Sequence, residues 1–196
     1  MEEDLRSFKH PVRQAPSREG GWKSGEIWYV AQVRIGAEER VRQRCLEQIS
    51  SEVLKDCYVF HYEEKRHLYG EWIVQEKVLF PGYVFLVSGG VDGKVLDREL
   101  WRIKSVMGLL EMNGGFVLLD EREVDFLRML GGRRQTVEFS EGIIEQSKVR
   151  VHSGPLVGKE KYIRKIDRHK RKALLEMPIF GEKQKMQVGL EIVEKI

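Results

Sequence analysis

The stretch KVLFPGYVFLV (77–87) holds two strand-like runs broken in the middle by a proline and a glycine. The β-branched and aromatic residues on either side favour extended backbone. Pro81 has no N–H to give to a sheet ladder, so it belongs at a break, an edge or a bulge. Gly82 allows the close approach or unusual backbone angle that such a break needs. Beyond it, a period of two sends Tyr83 and Phe85 to one face and Val84 and Leu86 to the other. Two readings stand side by side. Both faces are buried under helices, or Tyr83 and Phe85, with Leu109 from a nearby strand, leave an apolar patch exposed.

Working outward, IWYVAQV (27–33) reads as a strand. In AEERVRQRCLEQI (37–49), Ala37, Val41, Cys45 and Ile49 recur every four residues, one apolar stripe of a helix. Residues 57–80 suggest a strand, a hairpin turning at Tyr69-Gly70 and a return strand. A short helix fits around 92–102, then a strand–turn–strand over 106–120 with its turn at Asn113-Gly114-Gly115. Asp120 and Glu123 have capping-box spacing before a helix that buries Val124, Leu127 and Leu130 and stops at Gly131-Gly132. This order gives an α+β fold, an α/β sandwich of helices packed on an antiparallel sheet over 26–130. Residues 131–146 lack a strong period and read as a linker. The remainder, 147–196, is short alternating runs with turns at Ser153-Gly154-Pro155, DRHKRK and Gly181-Glu182, as expected of a small β-barrel. Residues 1–25 are polar and read as a tail without function.

Composition narrows the function. With 41% apolar and 33% charged residues the chain suits a soluble, cytoplasmic globular protein. No apolar run approaches the roughly 18–20 residues of a membrane span. Cys45 and Cys57 form neither a CxxC pair nor a disulfide framework and read as reduced, partly buried thiols. The five histidines are scattered, so no metal or other cofactor is expected. No P-loop, GxSxG or GxGxxG is present, and nothing suggests an enzyme. Charge is uneven: residues 147–196 hold 13 Lys and Arg against 6 Asp and Glu, whereas the chain as a whole is only +3. One module faces a polyanion.

Together, IWYVAQVRIGAEERV, KVLFPGYVFLV and KVRVHSGPLVGKEKYIRKID, in this order, resemble the NusG family of bacterial transcription elongation factors. The resemblance spans about 28–196 and implies an N-terminal NGN domain and a C-terminal KOW domain. It implies that Phe80, Pro81, Tyr83, Phe85 and Leu109 bind the coiled-coil clamp helices of RNA polymerase. In general NusG proteins the KOW domain contacts a small-subunit ribosomal protein or the termination factor Rho. This chain departs from that pattern: Lys161 stands where the family carries glycine, and GKEKYIRK (158–165) is strongly basic.

The basic residues Lys159, Lys161, Arg164, Lys165, Arg168, His169, Lys170, Arg171 and Lys172 are therefore the candidate RNA-binding set. His169 or Tyr162 could stack on an unpaired base. A solvated hairpin is the bland alternative. The pattern most resembles the specialised LoaP-type paralogues, which implies a monomeric antiterminator that reads a leader RNA hairpin and keeps polymerase processive on particular operons. A general NusG coupling polymerase to ribosome or Rho, and a translation-associated KOW protein, are the alternatives. In RfaH-type relatives the C-terminal domain refolds into helices, but alternation at 148–151 and 173–177, with Pro178, favours a permanent barrel here.

Overall fold

The computed structural model describes residues 26–195. The expected tail, 1–25, lies outside them. In chain order the elements are β1 (Ile27–Val33), α1 (Glu38–Gln48), β2 (Leu54–Tyr58), β3 (His61–Leu68), β4 (Glu71–Val78) and β5 (Tyr83–Ser88). Next come α2 (Gly93–Leu100), β6 (Val106–Leu109), the hairpin β7 (Glu111–Met112) and β8 (Gly115–Phe116), and α3 (Glu121–Gly131). The chain then runs through β9 (Thr136–Val137), β10 (Ser140–Glu145), β11 (Lys148–Ser153), β12 (Ile163–Asp167), β13 (Lys172–Ile179) and β14 (Glu182–Lys195).

The N-terminal unit is built on an antiparallel sheet of order β2-β5-β1-β6. The α1 stripe of Ala37, Val41, Cys45 and Ile49 is buried against one face, together with Leu96 and Leu100 of α2, Val84 and Leu86. Cys45 and Cys57 are free and both fully buried, deeper than expected. The other face carries Trp28, Val30, Phe85 and Val87 under Val124, Leu127 and Leu130 of α3. The capping box forms as read: Glu123 N–H donates to Asp120 at 2.9 Å and Asp120 N–H to Glu123 at 2.7 Å. Tyr69-Gly70 and Asn113-Gly114 both turn through positive φ, as two-residue hairpin turns require.

The C-terminal unit is a sheet of order β11-β10-β14-β13-β12. The 14-residue β14 pairs antiparallel with β13 along its first half and parallel with β10 along its second. One strand thereby serves both sides and curls the sheet into a small barrel. Val151, Leu156, Ala173, Leu175, Met186 and Val188 fill its interior. The stretch expected as linker holds β9, which pairs with β3, and β10, which lies between β11 and β14. Its strand character was obscured because β10 alternates weakly and Gly142 interrupts it. That glycine has no room for a side chain, since a Cβ would lie 2.7 Å from the Arg150 carbonyl oxygen. The turn read at Gly181-Glu182 instead falls on Phe180 and Gly181, both at positive φ. Among the described residues, no helix is long and apolar enough to cross a membrane.

Candidate functional site

Phe80-Pro81-Gly82-Tyr83 is a β-turn with Tyr83 N–H donating to the Phe80 carbonyl at 3.1 Å. Proline in its second position and glycine at φ +86° in its third give the pattern of a type II turn. Gly82 is held from both sides: its carbonyl accepts from Val33 N–H at 2.8 Å, and its N–H donates to the buried Glu38 carboxylate at 2.7 Å. Glu38, on the first turn of α1, is a positioning residue that periodicity alone would have sent to solvent.

Out of this turn, Phe80, Phe85 and Phe60 pack as a set of edge-on rings, with centroids 5.0 to 6.4 Å apart. Tyr83 stands half-buried beside them. This aromatic nest shares its core with α3 on one side and is not open to solvent on the other. Phe180, from the β13–β14 turn of the barrel, fills it: its ring lies 5.8 Å from Phe80, 5.5 Å from Tyr83 and 5.7 Å from Phe85. Phe180 is 2% exposed. It holds φ at +62°, a conformation that costs a bulky residue about 1–3 kcal/mol. Leu109 is not in the nest. It pairs with Ala31, and cross-strand partners share a face, so it is buried on the α1–α2 side with Val84 and Leu86.

The two units are also joined along β3 beyond its short pairing with β9. Gly189 of β14 passes so close that a Cβ would lie 2.4 Å from the Glu63 carbonyl oxygen and 2.3 Å from the Phe139 ring. Lys65 Nζ lies 2.6 Å from the Glu191 carboxylate and 4.3 Å over the Phe139 ring. Lys172 Nζ lies 2.5 Å from Glu64, which also accepts from Gln75 and from the Tyr62 hydroxyl. Burial works to raise the Glu64 carboxyl, but the hydrogen bonds from Lys172 and Gln75 and the charge of Lys172 outweigh it and hold it below the ordinary carboxylate value. The Tyr62 hydroxyl is pushed up to about 12 by burial and by the Glu64 charge. Arg171 places its guanidinium 3.6 Å from the centre of the Trp72 ring and 2.9 Å from Glu191.

The basic set is thus divided. Lys159 and Lys161 lie at one end of β12 and Arg168, His169 and Lys170 at the other, separated by a strand of roughly 15 Å. Arg164 pairs with Glu176 at 3.2 Å, and Lys165 is exposed along the strand. Asp167 shapes the turn by accepting from Lys170 N–H at 2.9 Å, and this bond holds its carboxyl below the usual range. Arg168, His169 and Lys170 point to solvent. Arg171 and Lys172, by contrast, are half-buried against the N-terminal unit. Tyr162, a candidate base-stacking residue, packs edge-on against Phe126 of α3 at 5.4 Å.

Comparisons with known proteins agree with this architecture. Residues 26–128 match the family described as "Transcription termination factor nusG". The chain is similar to the transcription termination/antitermination protein NusG of Borreliella burgdorferi, 25% identical over 86% of this chain and 98% of that one. The NusG of Buchnera aphidicola is 26% identical over 86% and 95%. Among solved structures, one titled "Domain interaction in Thermotoga maritima NusG" shares the fold, with a TM-score of 0.51 and 21% identity over 85% of this chain and 94% of that one. The family match runs through the N-terminal unit as far as Arg128 of α3, and the curated relatives extend the likeness through the barrel; this chain belongs to the NusG family.

Proposed function

We propose that this protein is a transcription elongation and antitermination factor of a specialised kind. It binds RNA polymerase through the nest of Phe80, Pro81, Tyr83 and Phe85 and binds RNA through the basic face of its barrel. The observation that carries the reading is the seating of Phe180 in the nest. A surface that takes up an aromatic side chain from another unit can take up the apolar face of an amphipathic helix, such as those of the polymerase clamp. The same seating means that polymerase and barrel compete for one surface, so polymerase engages the opened form. Arg168, His169 and Lys170, at an exposed hairpin turn, suit the phosphates and unpaired bases of an RNA loop, with Lys159, Lys161, Arg164 and Lys165 on the same strand and its far end. Nothing catalytic is required: the factor tethers, and shifts polymerase from paused to elongating states.

Two measurements test this. Pull-down on immobilised bacterial RNA polymerase should be weakened by Tyr83→Ala with the thermal unfolding curve kept cooperative; undiminished retention removes the nest from the reading. Binding of a labelled stem-loop RNA by the full chain should weaken steeply with salt and be lost in the Arg168→Glu, Lys170→Glu double variant. An RNA affinity equal to wild type in that variant would remove the barrel's role.

A further inference from the structure

Between the β3–β4 ribbon and the turn joining β12 to β13 lies a cleft of about 630 Å³ that belongs to both units. Five of its lining side chains are Lys or Arg, and a single one, Glu64, is a carboxylate. A cationic groove edged by aromatic rings is the surface that holds a sugar-phosphate strand. Here Arg66 and Lys77 come from the N-terminal unit and Lys170 and His169 from the barrel.

We propose that this cleft is the entry site for an RNA strand, and that the strand and the N-terminal unit compete for the same two cations, Arg171 and Lys172, so that RNA binding uncovers the aromatic nest. The inference rests on the RNA-binding reading above and adds its regulation.

The argument runs through Glu64. In the closed arrangement Lys172 is committed to it at 2.5 Å, and Arg171 is committed to Trp72 and Glu191. Arg168 and Lys170, both exposed and Lys170 only loosely paired with Asp167 at 4.0 Å, meet a phosphate first. Lys170 lies two residues from Lys172, so a strand held at the turn brings its next phosphates to the committed pair. Glu64, 6% exposed, then faces a neighbouring anion while losing its cation. A buried charge stripped of its partner is strongly unfavourable. Separation of the units relieves it, because Glu64 regains water while Lys172 turns to the RNA and Arg171 leaves Trp72, keeping its pair with Glu191 within the barrel. By linkage, whatever opens the units must tighten RNA binding by the same factor that RNA favours opening.

The test uses the full chain with dyes on Tyr69→Cys and Lys183→Cys, both at strongly exposed positions on opposite units, the native cysteines being buried. The probe is a stem-loop RNA of about 20 nucleotides with an unpaired purine loop, the kind of element RNA readers target. Its anisotropy reports binding, and energy transfer between the dyes reports separation. Transfer should fall as RNA saturates the protein. Glu64→Gln should lower transfer without RNA and bind the probe about tenfold more tightly, in the range of ordinary coupling factors. Trp72→Ala, at a half-exposed ribbon position, should also lower transfer without RNA. RNA that binds with unchanged or rising transfer, and equal affinity in Glu64→Gln, overturns the coupling but leaves RNA binding intact. An anisotropy that stays flat for wild type and both variants at low salt overturns the RNA reading itself, and the coupling with it.

Discussion

The rings of Phe180 and Phe85 lie 5.7 Å apart although ninety-five residues of chain separate them and each belongs to a different unit. Phe85 is completely buried and Phe180 nearly so. Truncating a buried Phe costs about 3 kcal/mol or more. Phe180→Ala should therefore loosen the barrel from the sandwich while leaving both folded, because the β13–β14 ladder does not depend on the ring. Small-angle X-ray scattering should record a larger radius of gyration, and polymerase pull-down should rise. An unchanged radius would show that the polar clamp alone holds the units together.

Gly189 offers a second and independent way to part them. A methyl group there meets the Glu63 carbonyl oxygen and the Phe139 ring well inside contact distance, and neither is the end of a flexible chain. Overpacking of this kind costs about 1–3 kcal/mol. Gly189→Ala should speed hydrogen exchange along β3 at residues 63–66, where β14 now covers the edge. Exchange in the interior of β13 should stay slow; if it speeds up equally, the glycine serves the barrel and not the contact.

Acid should also open the pair. Glu64 is held below its ordinary value of 4.5 in the docked arrangement, so its contribution is fully present above that value and is lost as pH falls through the depressed one. Energy transfer between the units should stay level from neutral pH down to the ordinary carboxylate value and then drop. In Glu64→Gln that acid step should be missing. A drop of the same size in the variant would assign the step to another carboxylate.

The position of β10 bears on any work with the barrel alone. It is hydrogen-bonded on both sides, to β11 and to β14. A fragment beginning at 147 lacks it and leaves two strand edges open and the interior uncovered. Such a fragment should fail to give dispersed amide resonances, whereas one beginning at 138 should give them. A well-dispersed spectrum from the shorter fragment would show that four strands close on their own.

Much of this protein was legible in its sequence because the governing physics is local. The Phe-Pro-Gly-Tyr turn follows from the fixed φ of one residue and the free φ of the next. The stripe of α1, the Asp120–Glu123 capping box and the Tyr69-Gly70 and Asn113-Gly114 turns depend on neighbours at most a few positions away. Strand period alone sorted Tyr83 and Phe85 from Val84 and Leu86. The tertiary structure decided what period and charge cannot: which surface is covered, and by what. Leu109 went to the opposite face through its register with Ala31. Arg171 and Lys172 left the solvated run because Trp72 and Glu64, about a hundred residues earlier, stand beside them. Phe180 looked like an ordinary apolar residue near a turn, and its one legible oddity was a large ring at a hairpin tip. Its role comes from the nest, and the nest is assembled from Phe60, Phe80 and Phe85 only when β5 pairs into the sheet and the barrel comes to rest on it.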